Sequence, residues 1–412
     1  MEALDYGPGC PQSCHDEPHV CPPTTSEDCL RLSVFAPSDG IASNGSAPKL
    51  RPIMFWITGG NYDVMAGNVE LYDGTKLASE GDVIVVLLNY RIGALGFACW
   101  DGSPCNLGLL DQRLALEWVR DNAAAFGGDP AQVTIFGQSA GGGSVAAHLV
   151  SPPSWPLFSR VISQSNPASI GYKNRTGAQT QGDMLAGLLG CNSTADPVAR
   201  MKCMRSRPAE EVVAVQFHAS LPLQIPGVVE KAYTYSPVTD TPDIADQPLL
   251  MIQAGRFAKD KPVMLGDTRN DARQFVFEPI PTPVSPLAYE AIRVLMFGNW
   301  SEGVNEYYPL PSDVTDARDL MSVIGTDYVF RCSNRAIARS LACQGTTGEV
   351  FLYTFDHPLS FNCWGKNYSF CWMNSTQVCH GERRGSIDPY AGECCISLHC
   401  IALLCYTSPS PA

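Results

Sequence analysis

The sequence predicts an α/β fold, a central and mostly parallel mixed sheet flanked by helices, from three observations. Short apolar runs, Ile53 to Thr58 and Val83 to Asn89, have the length and continuous hydrophobicity of strands covered on both faces. Between Leu109 and Ala124 the apolar residues recur at steps of three and four, the period of an amphipathic helix. Strand-like and helix-like segments then alternate through Arg160 to Gln164 and Pro262 to Leu265, the order that builds a parallel sheet.

The elements follow in order. The first thirty residues are rich in Pro and Cys and lack helical periodicity, so they read as a crosslinked loop leading into a strand from Leu30 to Phe35. Ser38 to Pro48 is polar and reads as an exposed turn. After the two apolar strands, the helix ends near F-G-G-D-P, and V-T-I-F enters a glycine-rich turn. Pro279 to Pro286 is a surface loop. There is no internal repeat and no linker that divides the chain.

Composition excludes several functions. With 28 basic against 41 acidic residues the net charge is −13, the wrong sign for a phosphate-binding surface, so nucleic acid is not an expected partner. The apolar runs, such as Ile401 to Leu404, fall far short of the roughly 18 residues that cross a bilayer. Seventeen cysteines, mostly in separated pairs, read as a disulfide framework. Asn-x-Ser/Thr sites at Asn44, Asn174, Asn192, Asn299, Asn367 and Asn374 point the same way, to the secretory pathway lumen or secretion. The opening M-E-A-L-D-Y-G-P-G-C lacks the basic start and apolar run of a signal peptide, so export requires a true N-terminus outside this sequence.

The chemistry centres on V-T-I-F-G-Q-S-A-G-G-G-S-V, residues 133 to 145. Gly137, Ser139 and Gly141 form G-x-S-x-G between a β-leaning run and a helix-compatible one, which places Ser139 as a nucleophile on a tight bend. Side chains in place of the two glycines would collide with the turn or an arriving substrate. The following helix directs its N-terminal N–H groups at the serine, where negative charge develops during attack on a carbonyl. Upstream, P-I-M-F-W-I runs into T-G-G-N-Y, and Gly60 and Asn61 are expected oxyanion donors with Ala140 as the third.

Several long motifs occur in order: E-D-C-L-R-L-S-V at 27 to 34, N-Y-R-I-G-A-L-G-F at 89 to 97, N-L-G-L-L-D-Q-R-L-A-L-E-W-V at 106 to 119, then F-G-G-D-P, V-T-I-F-G-Q-S-A-G-G and L-F-S-R-V-I-S-Q-S. In these the chain resembles the type-B carboxylesterase and cholinesterase-like family, most strongly over residues 10 to 165 and traceably to about 382. The resemblance implies the α/β-hydrolase fold over residues 1 to 382, with catalytic residues in the order serine, acid, histidine. It also implies that the family's opening strands fall before Met1, so that the fold is truncated at both ends, and that 383 to 412 is a divergent Cys-rich tail.

By the same resemblance, P-V-M-L-G-D-T-R-N-D-A-R-Q-F at 262 to 275 places Asp271 at the acid position, where most relatives have glutamate; Asp267 is the competing carboxylate. V-C-H-G-E resembles the family's histidine segment and nominates His380, with His357 as the other candidate. His380 would take the Ser139 proton while Asp271 fixes its tautomer, giving an acyl-serine that water cleaves. The resemblance implies a Cys191–Cys203 bridge and joins Cys29 to Cys10, Cys14 or Cys21. By the same resemblance a choline-specific member would carry a tryptophan in this loop to stack on the quaternary ammonium; none occurs between Cys10 and Cys29, so a neutral small-molecule carboxylic ester is the expected substrate. Gln138 stands where the family often has an acidic residue, and Asn61 replaces its third oxyanion glycine. No cofactor is implied. The tail cysteines with Cys371, Cys379 and His399 match no zinc spacing, and Ile396 to Tyr406 reads as a helix over the opened core. Because agreement ends after Glu382, His380 is expected to lack its support.

Overall fold

The structure, a computed structural model, describes residues 6–14, 20–38, 50–192, 196–219, 233–358, 369–372 and 377–380. The strands are β1 (Leu32–Phe35), β2 (Arg51–Ile57), β3 (Ile84–Leu88), β4 (Gly128–Gln138), β5 (Arg160–Gln164), β6 (Lys173–Asn174), β7 (Val238–Thr239), β8 (Val263–Thr268) and β9 (Val350–Phe355), with the two apolar runs forming β2 and β3. Seven build one sheet in the order β1-β3-β2-β4-β5-β8-β9, while β6 and β7 pair separately. Only β1 runs antiparallel to its neighbour; every other pairing in the main sheet is parallel. This is the mostly parallel mixed sheet of an α/β-hydrolase fold.

Alternation along the strands divides the core into two layers. Ile53, Phe55 and Ile57 of β2 and Ile84, Val86 and Leu88 of β3 face one layer, where Leu109, Leu116 and Val119 of the helix Leu107–Asn122 cover them. Met54 and Trp56, with Val85 and Leu87, face the other, under Leu77 and Ala78 of the helix Thr75–Gly81. All five residues of β3 are buried, as its unbroken I-V-V-L-L requires. The helix expected from Leu109 to Ala124 starts at Leu107 and ends at Asn122, followed by a tighter turn through Phe126. Its entry is fixed from afar, because the Asn106 side chain bonds both the N–H and the carbonyl of Val238.

The first segment is crosslinked as expected, with Cys10 joined to Cys29 and Cys14 to Cys21. Cys191–Cys203 forms, and Cys99–Cys105 and Cys371–Cys379 complete the described bridges. Cys371 and Cys379 are therefore joined in a disulfide and supply no thiolate ligands, and no metal-binding cluster occurs among the described residues. The expected turn at 38 to 48, beyond Ser38, and the tail with its helix at 396 to 406 lie outside the described residues. Pro286, the expected end of a loop, instead opens the helix Pro286–Phe297 at a position where its missing N–H is harmless. No described helix is long and apolar enough to cross a membrane.

Candidate active site

Ser139 sits where β4 ends and the buried helix Ala140–Val150 begins, with φ 60° and ψ −126°. Two hydrogen bonds hold this strained backbone: the Ser139 N–H donates to Gln164 O at 2.9 Å, and Gly143 N donates to Ser139 O at 2.9 Å. Of the two expected collisions, with the turn or with substrate, the backbone shows the first, and adds one with the neighbouring strand. A Cβ on Gly141 would stand 2.1 Å from the Ile57 carbonyl oxygen, and one on Gly137 would stand 2.6 Å from the Gly141 carbonyl. They let the helix close on the β2 backbone. Gly59 makes the third close approach, because its Cβ would lie 2.5 Å from Gln138 O and 3.2 Å from Ser139 Cβ. The loop after β2 thus abuts Ser139.

In that loop Gly60, Asn61 and Tyr62 all have positive φ. The Gly60 carbonyl accepts from Asp63 N and Val64 N, closing a tight turn, while neither the Gly60 nor the Asn61 N–H is donated to another backbone carbonyl among the described residues. Beneath it, the Asn61 amide donates to Asp63 Oδ2 at 2.9 Å, and the Tyr62 and Tyr172 hydroxyls meet at 3.0 Å. Burial pushes the Asp63 carboxyl up to about 7, opposed by the Asn61 hydrogen bond and the Lys173 charge. Burial also pulls Lys173 down to about 8, and its ammonium donates to the carbonyls of Tyr233 and Thr234.

The loop that carries Asp271 follows β8. Asp271 is fully buried; its Oδ1 lies 2.6 Å from His380 Nδ1, and its Oδ2 accepts from Thr268 N at 2.9 Å. Asp267 is turned elsewhere, accepting from Thr354 at 3.1 Å and from Arg331 at 3.4 Å. His357 is exposed just beyond β9. Of the paired candidates, the structure brings Asp271 and His380 together. The expectation that His380 lacks support is not met, because support comes from residues before it. Asn270 N donates to Val378 O at 2.9 Å and Asn270 Oδ1 accepts from Val378 N at 3.0 Å, while Cys379 is bridged to Cys371. The Phe275 and Phe330 rings pack against the imidazole, with centroids at 4.9 and 5.1 Å.

The imidazole's other nitrogen does not bond to Ser139. His380 Nε2 instead lies 2.8 Å from Gln138 Nε2. With Asp271 accepting at Nδ1 and the Gln138 amide donating at Nε2, the consistent tautomer carries its proton on Nδ1 and leaves the Nε2 lone pair as the basic site. Sequence reasoning noticed Gln138 only as a mild departure. Its adjacency to Ser139 was the available signal, but the 242-residue separation from its partner hid the contact. Asn270 gave no signal beyond its place beside the acid.

A sequence model of the carboxylesterase family matches residues 1–384. The crystal protein of Dictyostelium discoideum is 39% identical over 360 residues, covering 87% of this chain and 62% of the relative. The cAMP-regulated D2 protein of the same organism is 34% identical over 382 residues, covering 92% of this chain and 68% of the relative. A mouse cholinesterase is 31% identical over 382 residues, covering 86% and 58%. The chain thus spans about three fifths to two thirds of the length of the curated relatives it matches. With the hydrolase sheet, the serine elbow and a family match over nearly its whole length, this chain belongs to the carboxylesterase family.

Proposed function

We propose that the chain is a serine-dependent carboxylic ester hydrolase. The observation that carries this reading is the buried Asp271–His380 pair at 2.6 Å, whose imidazole is held by the residue next to Ser139. On this reading Ser139 Oγ attacks the ester carbonyl carbon as its proton passes to His380 Nε2, and Asp271 stabilises the resulting imidazolium. The carbonyl oxygen gains negative charge opposite the N–H groups of Gly60, Asn61 and Ala140. The Nε2 proton then goes to the departing alkoxide, leaving an acyl-serine, and water activated by the same nitrogen releases the acid. Each lost oxyanion donor would cost about 3 kcal/mol of transition-state stabilisation.

A neutral ester fits the absence of tryptophan between Cys10 and Cys29. Secretion fits the five described disulfides and exposed sequon asparagines at 174, 192 and 299. Hydrolysis of p-nitrophenyl acetate by the chain and by Ser139→Ala tests the reading: turnover that the substitution abolishes supports it, and equal rates refute it. One observation favours a second reading, a noncatalytic binding module, since Gln138 rather than Ser139 is bonded to His380 Nε2. Folded protein with no turnover in either form would favour that reading.

A further inference from the structure

From the hydrogen bond between the Gln138 amide and the basic nitrogen of His380, we infer that Gln138 is a positioning residue that serves both charge states of this histidine. The inference rests on the proposed esterase reading for its kinetic consequence, and on geometry alone for its effect on the imidazole.

Gln138 ends β4, pairs through its backbone with Gln164 of β5, and is buried. It cannot drift with solvent. Its Nε2 donates to the lone pair of His380 Nε2 at 2.8 Å, which holds the ring in the plane set by Asp271 on the other side. When the imidazole takes a proton, Nε2 becomes a donor and needs an acceptor. A carboxamide meets that change by turning over, presenting its oxygen in place of its nitrogen. A carboxylate at the same place could bond only the protonated ring and would favour that state at rest. The neutral amide can therefore bond the ring in either charge state, including the imidazolium that forms during attack. It also competes with Ser139 for Nε2, so productive attack requires the amide to yield part of that contact.

The other groups facing His380 leave this effect visible. From the loop after β8 comes Asp271, bonded at Nδ1. From the helix Arg273–Phe277 and the π-helical segment Thr326–Arg331 come the apolar rings of Phe275 and Phe330. Arg331, next to Phe330, is engaged by Asp327 and Asp267.

The test compares Gln138→Glu and Gln138→Leu with the parent chain by the pH profile of kcat/KM on p-nitrophenyl acetate, and by NMR titration of histidine Cε1–H signals. The His380 resonance is assigned from its loss in His380→Gln. Glutamate should move the acidic limb and the His380 midpoint upward by about 1–3 pH units. Leucine should lower kcat/KM about five- to tenfold, the worth of one net hydrogen bond, without that upward move. An unmoved His380 midpoint in Gln138→Glu, or an equal upward shift in Gln138→Leu, overturns the inference. If no form turns over ester but the glutamate shift appears, the positioning role stands and the esterase reading fails.

Discussion

Replacing Asp271 by asparagine keeps the volume and removes one acceptor from a place where two are in use. Asp271 Oδ1 accepts the hydrogen bond of His380 Nδ1–H at 2.6 Å and Oδ2 accepts that of Thr268 N–H at 2.9 Å. Asparagine has a single oxygen. If that oxygen faces His380, the new NH2 group meets the Thr268 N–H, two donors in a fully buried site, at a cost of about 1–3 kcal/mol for the unsatisfied group. If it faces Thr268, the NH2 meets Nδ1, which must become the acceptor, and the ring proton moves to Nε2. The second arrangement keeps every bond at the acid and destroys the base. A wrong tautomer of this kind lowers kcat about ten-thousandfold in a serine protease, equivalent to about 5 kcal/mol of barrier. The assay is kcat on p-nitrophenyl acetate near pH 8, with thermal unfolding to show that the variant folds. Asp267→Asn is the matched control, since Asp267 bonds Arg331 and Thr354 instead of His380. It should lower stability and keep kcat within about tenfold of the parent, a loss that needs no change at the reacting atoms. A folded Asp271→Asn chain whose kcat also stays within about tenfold of the parent would refute this reasoning.

Three further perturbations separate support from chemistry. Burial puts the folded Asp63 at about 7 against 3.8 and the folded His148 at about 3 against 6.5. Asp63 thus contributes stability at low pH that is lost as pH rises from about 4 to about 7, and His148 contributes stability at higher pH that is lost as pH falls from 6.5 toward 3. Asp63→Asn should therefore make the slope of unfolding free energy against pH, measured in urea between 4.5 and 6.5, more positive by up to about 1.4 kcal/mol per unit; an unchanged slope counts against the buried carboxyl. Gly141→Ala places a Cβ 2.1 Å from Ile57 O and should cost at least about 1–3 kcal/mol in denaturant unfolding, whereas parental stability would contradict the close packing. Serine at both Cys371 and Cys379 opens an eight-residue span worth about 2–3 kcal/mol and should reduce kcat as His380 loses its anchor; full activity would show that Asn270 alone holds the segment.

How much of this was legible depended on how locally each feature is encoded. The Ser139 elbow is written in five consecutive residues and β2 and β3 in apolar runs, while β5, R-V-I-S-Q, was placed by its turn in the alternation of strands and helices. The glycines of the elbow were recognised, and the Gly137 clash with Gly141 lies within the turn as expected, but the Gly141 clash with Ile57 on another strand is not revealed by spacing. β9 passed unnamed: it is an edge strand with Phe351 and Leu352 exposed, and it lacks a buried-face alternation. β6 and β7 are two residues each, and β7 is held by Asn106 from 132 positions away. At the site, Asp271 and His380 were reached through resemblance, whereas the Gln138 contact, the Asn270 clamp and the Cys371–Cys379 anchor depend on where a late segment returns to the sheet. The resemblance was strongest where chain neighbours are also neighbours in space.

The central claim, that Ser139 is a nucleophile activated by His380, is tested most directly by a fluorophosphonate probe, intact-mass analysis and peptide mapping of folded chain. The account predicts a single adduct on the peptide bearing Ser139, absent from Ser139→Ala and strongly slowed in His380→Gln. No adduct on folded protein, or an adduct on another residue with Ser139 unmodified, would contradict it.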